Sequence, residues 1–172
     1  MTSEFQSDID AISHIDSIPT ILDVVCRTTG MGFAAVARVT QDRWIACSVL
    51  DNIHFGLQPG GELKVETTIC HEIRESREPV VINHVAEDEI FCGHPTPAMY
   101  GFQSYISMPI IRRDGRFFGT LCAIDPRPAL LKNPESSPQR WHLRRRRRKA
   151  NRRDLIWATS IRPAACRAQP SP

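Results

Sequence analysis

Several features that would define an enzyme or a membrane protein are missing from this sequence. It contains no GxSxG motif, no Walker-type phosphate-binding loop, no paired carboxylates at catalytic spacing and no kinase signature. No run of about 18 apolar residues is present, and the acidic first residues lack the basic-then-apolar layout of a secretory signal. We therefore expect a cytoplasmic protein whose chain carries no catalytic activity of its own.

Paired cysteine motifs are also absent. The six cysteines are scattered singly along the chain, without a CxxC pair. In a protein without an export signal, single cysteines are typical of reduced, mostly buried thiols rather than of a disulfide framework. The zinc-capable side chains match no closed four-ligand spacing, so we predict no metal site. These side chains are Cys70, His71, His84, Cys92 and His94.

Charge divides the chain into two unlike parts. Residues 1–131 contain 10 Lys and Arg against 17 Asp and Glu, a net charge of −7. Residues 132–172 contain 12 basic residues against 2 acidic ones, a net charge of +10. About 130 residues suffice for one domain with a hydrophobic core, whereas the basic segment has too few apolar residues to form a second core.

Apolar residues at three- and four-residue intervals predict helices in two regions. The first pattern runs from Ile9 to Val25, with Ser17 as a predicted N-terminal cap and Gly30 as the predicted end. The second covers residues 66–76, where the apolar positions fall on one face of a short amphipathic helix.

Alternating apolar runs predict strands, and two pairs of them are typical of hairpins. The later pair is joined by Asp114-Gly115, a dipeptide typical of a type I′ turn, in which both central residues have positive φ. Since antiparallel pairs dominate, the predicted fold class is α+β, a central antiparallel sheet flanked by helices. The predicted strands cover residues 33–39, 44–50, 79–82, 105–111 and 116–124.

Four sequence motifs in the acidic part, residues 1–131, are informative when taken together. They are TTICHEI at 67–73, EPVVI at 78–82, YISMPI at 105–110 and DGRFFGTLCAIDP at 114–126. With the element order, they resemble a GAF domain, a sensory module of bacterial sensor histidine kinases and related signalling proteins. The resemblance covers about residues 18–128 and implies helices on both sides of the sheet, a ligand or interaction pocket on one face, and no catalysis within the domain.

The resemblance sets the expected domain boundaries and function. Residues 1–17 are a lead-in, 18–131 a GAF-like sensory domain, and 132–172 a basic, proline-containing tail. We expect a small-molecule-sensing, regulatory module of a bacterial signal-transduction protein of the histidine kinase type, with its output domain missing. A signalling partner or a second copy of the chain is the expected macromolecular partner.

Two other classes of function stay open at this point. One is a cationic nucleic-acid-binding protein that acts through the basic tail. The other is a redox or metal sensor that uses Cys70 and His71. A fold alone does not decide among them, so the site has to be argued from its side chains.

Candidate pocket residues follow from strand alternation, because successive side chains point to opposite faces of a sheet. The sequence does not say which face lines the pocket. The more polar set on the last hairpin offers the few polar contacts that a small-molecule site needs. The candidates are Cys70, His71, Tyr105, Ser107, Thr120 and Cys122.

A cysteine beside a histidine, as at Cys70-His71, attaches a linear tetrapyrrole in phytochrome-like GAF domains. Covalent attachment needs an exposed thiol that ionises. This chain lacks the longer pigment-contacting motifs, and the position of Cys70 between Ile69 and Ile73 is typical of a buried core residue. We therefore expect no covalent chromophore and leave the small-molecule ligand unidentified.

The Arg144–Arg148 run, with Trp141 and Trp157 on either side, would by itself indicate nucleic-acid binding. GAF domains, however, normally continue into an amphipathic helix and an output domain, and no apolar stripe of helical period follows here. A switch to Arg, Pro and Ala is typical of GC-rich coding sequence translated out of frame. Our hypothesis is that frameshift or truncation removed a helix and a kinase or cyclase output, leaving a disordered or non-native tail.

Overall fold

The computed structural model describes residues 3–131, and the side chains of residues 5–131. The predictions about the tail, including Arg144–Arg148, lie outside the described residues. The helices are α1 (Ser3–Ser13), α2 (Ser17–Thr29), α3 (Cys70–Ser76) and α4 (Pro95–Tyr100). The strands are β1 (Phe33–Val39), β2 (Trp44–Asp51), β3 (Glu62–Leu63), β4 (Val80–Ile82), β5 (Ser104–Ile111) and β6 (Phe117–Asp125).

The six strands form one sheet in the order β3-β2-β1-β6-β5-β4, and every neighbouring pair is antiparallel. Both predicted hairpins, β1–β2 and β5–β6, are present, and β1 pairs with β6 to join them at the centre of the sheet. The predicted α+β class is therefore confirmed. No helix within residues 3–131 is long and apolar enough to span a membrane.

The sheet buries apolar side chains on both faces, as its strands predict. We call the face covered by α1 and α2 the outer face, and the opposite face, covered by α3 and the long loops, the inner face. Leu22 and Cys26 of α2 pack against Val36 and Phe118 on the outer face. On the inner face, α3 lies on β5, β6 and β1, so its first residue meets the middle of the sheet.

Two ion pairs fasten α1 to the outer face, and the two arginines that form them also make cation–π contacts with the sheet. Asp8 accepts a hydrogen bond from Arg38 Nε at 2.8 Å and another from Arg112 Nη2 at 3.1 Å. The guanidinium groups of both arginines lie over the ring of Phe118, at 5.1 and 4.9 Å from its centroid. Partly buried charge pairs of this kind fix the relative position of the elements they join more firmly than exposed pairs do. The N-terminal helix is thereby tied to both hairpins.

The helix predicted over residues 66–76 is shorter than expected. A 3-10 turn, Val65–Thr67, is followed by Thr68 in an extended conformation, and α3 begins only at Cys70. The Thr67 hydroxyl donates to Lys64 O at 2.7 Å and that of Thr68 to Val65 O at 2.8 Å. Such local bonds compete with a continuous helix, which explains the break.

Two further local predictions need correction. The residue before α2 is Asp16, not Ser17, and its side chain makes no capping hydrogen bond, although Gly30 ends the helix with φ 72° as predicted. The β5–β6 turn is not type I′: Gly115 has φ 79°, but Asp114 has no positive φ. Since Gly115 N donates to Arg112 O at 2.9 Å, residues 112–115 form a four-residue turn whose last residue is the left-handed Gly115.

Candidate functional site

Five of the six predicted site residues converge on the inner face. Cys70 is the first residue of α3, Tyr105 and Ser107 lie on β5, and Thr120 and Cys122 lie on β6. Ser107 and Cys122 are directly opposite in the β5–β6 register, and all five side chains are buried. We call these five residues the polar cluster. Whether it binds a ligand stays a prediction.

Hydrogen bonds in the polar cluster centre on the sulfur of Cys70. Thr120 Oγ1 donates to Cys70 Sγ at 3.3 Å, and the Tyr105 hydroxyl lies 3.4 Å from the same sulfur. The Cys122 thiol lies beside it as a further hydrogen-bonding group. No cationic or acidic side chain belongs to the cluster, so its electrostatics are set by thiols and hydroxyls.

These neighbours make Cys70 the most acidic thiol of the group. Hydrogen bonding from Cys122, reinforced by Thr120 and Tyr105, outweighs the effect of burial and lowers the pKa of Cys70 to about 6. The pKa of Cys122 is raised well above its usual range, because it hydrogen-bonds Cys70 and is buried beside it. Burial and the nearby thiols likewise raise the pKa of Tyr105.

Two buried polar atoms near the cluster lack hydrogen bonds. Ser107 Oγ and Trp44 Nε1 have no hydrogen-bond partner of normal geometry among residues 3–131, although Ser107 lies near the Tyr105 hydroxyl and Trp44 near Cys70. An unsatisfied buried donor costs about 1–3 kcal/mol. A bound ligand or water that hydrogen-bonds these two atoms would explain why they have no partner within the protein.

Trp44 was not predicted as a site residue. It is the first residue of β2 and is buried on the inner face, where its indole nitrogen lies near Cys70. The sequence gives only a weak indication that Trp44 belongs to this site. A buried tryptophan usually finds a hydrogen-bond partner for its indole N–H, but no local pattern indicates which atom that is.

His71 does not belong to the polar cluster. Successive residues on a helix point about 100° apart, so His71 and Cys70 point in different directions, and His71 Nδ1 is buried without a hydrogen-bond partner among the described residues. Its Nε2 lies 3.9 Å from Glu75 Oε1, and its side chain is partly exposed. The predicted pairing of Cys70 with His71 as neighbours in one site is therefore not present.

His84 and His94, the two other histidines among the zinc-capable side chains, make contacts with neighbouring residues. His94 precedes α4, accepts a hydrogen bond from Thr96 N at 3.2 Å through Nδ1, and places Nε2 at 3.3 Å from Glu72. His84 lies 3.2 Å from Glu87. Within residues 3–131, no group of three or more His, Cys, Asp or Glu side chains is arranged to hold a metal ion.

Four cysteines are free, buried thiols, as the sequence predicts: Cys26, Cys47, Cys70 and Cys122. Cys26 and Cys47 belong to the outer face, whereas Cys70 and Cys122 belong to the inner face.

The two serines of β5 permit a sharp test of the unpaired hydroxyl. Ser104 and Ser107 are both fully buried, but Ser104 Oγ donates to Arg127 O at 2.8 Å. We expect Ser104→Ala to lower the free energy of unfolding by about 1–2 kcal/mol, and Ser107→Ala to raise it by about 0.5–1 kcal/mol. Urea unfolding of both variants, followed by circular dichroism, measures the difference. Equal losses would mean that Ser107 is satisfied in solution.

The chain belongs to the GAF domain family, whose family model matches residues 14–142. This span includes both hairpins, α3 and the polar cluster. No curated protein matches the chain.

Solved structures share the fold at low sequence identity. The GAF domain of the Acinetobacter phosphoenolpyruvate-protein phosphotransferase has a TM-score of 0.52 at 12% identity, over 81% of this chain and 82% of its own. The GAF domain region of a Geobacter sulfurreducens PCA protein, described as a membrane protein, has a TM-score of 0.53 at 16% identity, over 81% and 89%. The free methionine-R-sulfoxide reductase of Neisseria meningitidis has a TM-score of 0.50 at 17% identity, over 75% of each chain. At these identities the likeness concerns the fold alone.

Proposed function

We propose that this GAF domain is a small-molecule-sensing, regulatory module of a bacterial signal-transduction protein of the sensor histidine kinase type. The observation that carries the proposal is the polar cluster with its unpaired Ser107 hydroxyl and the neighbouring Trp44 N–H. Unpaired donors in a core cost stability, and proteins retain such costs mainly where function requires them. The proposal assigns no catalytic step to the domain. Its cytoplasmic location stays a prediction.

The side chains limit the chemistry of the ligand. Ser107 and Tyr105 each offer a hydroxyl, and Trp44 offers an N–H that only donates. The polar cluster contains no cationic side chain to pair with a strongly anionic ligand, and the acidic Cys70 thiol would repel one. A small, neutral molecule with acceptor oxygens fits this set of donors better than a nucleotide or a metal complex.

The fold supplies a route by which an event at the cluster reaches the outer face. Along β6, Thr120 and Cys122 face inward while Phe118 and Ala123 belong to the outer-face core. A shift of β6 therefore moves residues that pack against α2 and, through the arginines stacked on Phe118, the helix α1. The proposal is that ligand binding under α3 is transmitted to the N-terminal helices in this way.

A thermal-shift panel of small metabolites, applied to the full chain in reducing buffer, tests the proposal. A ligand present at about 100 times its Kd stabilises the protein by about 2.7 kcal/mol, which raises Tm by several degrees. We expect at least one neutral, oxygen-containing compound to do so. Thr120→Val keeps the side-chain shape but removes the hydroxyl bonded to Cys70, so the rise in Tm should shrink in this variant.

Thr28→Val is the matched control, because the Thr28 hydroxyl bonds only the helix backbone of α2 on the exposed side. Its ligand response should equal that of the unaltered chain. A panel that gives no stabilising compound, or equal responses in all three proteins, would contradict a binding site at the polar cluster.

A further inference from the structure

Two cysteines from distant parts of the chain meet inside the polar cluster. Cys70 begins α3, and Cys122 lies in the middle of β6 with its thiol beside that of Cys70. Both are free, and each is at most 6% exposed. A third buried thiol, Cys47, lies on the outer face, where its contacts are with backbone groups: the carbonyl of Ile45, at 3.9 Å, and the backbone of Arg38.

The surroundings of the two thiols on the inner face differ from those of Cys47. Burial raises the pKa of Cys47 to about 11, so it stays protonated and unreactive. Around Cys70, Thr120 and Tyr105 supply hydrogen bonds that stabilise a thiolate. Thiolate character decides which cysteine an oxidant attacks, and a second thiol in contact with it can then resolve the oxidised form.

We propose that Cys70 and Cys122 are a redox-active pair that reacts with hydrogen peroxide and closes to a reversible disulfide between α3 and β6. This inference rests on the proposed function, since it names oxidation as a means of regulating the same polar cluster.

The chemistry balances in two steps. The Cys70 thiolate attacks one oxygen of hydrogen peroxide, the O–O bond breaks, and the departing hydroxide takes up a proton to leave as water, giving a sulfenic acid at Cys70. The Cys122 thiol then attacks the Cys70 sulfur, an S–S bond forms, and the sulfenic oxygen leaves as a second water. Peroxide is reduced by two electrons, and the two thiols are oxidised by the same two.

Burial sets the rate and the consequence of this reaction. Cys70 is 3% exposed, so peroxide reaches it only when α3 lifts from the sheet. Oxidation is therefore expected to be slower than that of an exposed thiol of similar acidity. The disulfide then ties α3 to β6 and restricts the opening that a ligand needs. Oxidation and ligand binding should consequently oppose each other.

Peptide mapping of the full chain provides the test. Trypsin places every cysteine on its own peptide, with Cys70 in residues 65–74 and Cys122 in residues 117–132. After peroxide treatment and alkylation of the remaining thiols, we expect these two peptides to be joined, with the loss of two hydrogens, and to separate again on reduction. Both cysteines recovered as alkylated peptides, under peroxide that oxidises other cysteines of the chain, would overturn the proposal.

Matched variants separate the roles of the two thiols. In Cys122→Ser the resolving thiol is gone but a hydrogen-bonding hydroxyl remains beside Cys70, so a sulfenic acid at Cys70 should accumulate and be trapped by dimedone. Cys47→Ala should still form the Cys70–Cys122 link at the unaltered rate. Dimedone labelling that is no greater in Cys122→Ser than in the unaltered protein would contradict the assignment.

A measurement on the unaltered chain covers the case in which the variants fold poorly. The alkylation rate of Cys70 between pH 5 and pH 9, followed on its own peptide, should rise at least one pH unit below that of Cys47; equal profiles would contradict the assignment. The ligand panel is read in reducing buffer, so a ligand response without disulfide formation would refute this inference while leaving the proposed function standing.

Discussion

Replacing Gly119 by alanine is expected to lower the free energy of unfolding by about 3 kcal/mol, and Tm by about 10 °C. A Cβ atom at this position would lie 1.8 Å from the carbonyl oxygen of Ala37 and 2.9 Å from its carbonyl carbon. The obstacle is the backbone of the paired strand β1, where no side chain can rotate away. The central β1–β6 pairing must therefore separate to accommodate the methyl group. Thermal unfolding followed by circular dichroism measures the loss.

Gly115 in the same hairpin is the matched control. It has φ 79°, and a Cβ there would meet no atom within 4 Å. Asparagine tolerates this left-handed conformation, so Gly115→Asn should change the free energy of unfolding by less than about 1 kcal/mol. Similar losses for the two variants would show that the close approach of β1 and β6 is not what requires glycine at 119.

Replacing Asp125 by alanine is expected to cost about 2–3 kcal/mol. The carboxylate is 1% exposed and accepts hydrogen bonds from Gly32 N and Arg127 N, each at 2.9 Å, as well as from the Arg127 side chain. Removing it leaves the Gly32 N–H without its acceptor at the entrance to β1. Asp114 has the same arrangement with Arg116 on an exposed turn, so Asp114→Ala should change stability little.

The Asp125 contribution should also depend on pH. Burial alone would raise the pKa of Asp125, but hydrogen bonds from Arg127 and from Gly32 outweigh it and lower the pKa below the usual range. Such a group stabilises the fold above its unfolded pKa of about 3.9, and this stabilisation is lost as pH falls through the folded pKa. The difference between the unaltered chain and Asp125→Ala should therefore be constant at neutral pH and shrink below about pH 4. A difference that grows on acidification would contradict this sign.

Much of the fold follows from local sequence rules. Gly30 ends α2 because only glycine adopts its left-handed backbone without cost, and the alternating runs around Asp114-Gly115 form the hairpin that they predict. The Gly-Thr-Leu-Cys motif has a physical reason in the structure, since Gly119 lies against the backbone of β1. The helix end and the hairpin depend on short stretches of chain, so the sequence alone is enough to predict them, whereas the contact of Gly119 with Ala37 joins distant parts of the chain.

The features that could not be predicted depend on contacts between distant residues. Alternation places Ser107 and Cys122 among candidates, but only the packing of α3 decides which face they share with Cys70. Trp44 approaches Cys70 from another strand, and no spacing rule connects the two. The same limit applies to His71. It is adjacent to Cys70 in the sequence, but neighbouring side chains on a helix point about 100° apart, so the two do not share one site.

Hydrogen–deuterium exchange tests most directly whether the polar cluster is the sensing site. The measurement compares the full, reduced chain with and without the compound that raises Tm most. We expect slower exchange in α3 (Cys70–Ser76) and in the strands β5 and β6 beneath it, with a smaller change in α2. Slower exchange confined to α1 and α2, with α3, β5 and β6 unchanged, would place the ligand on the outer face and contradict it.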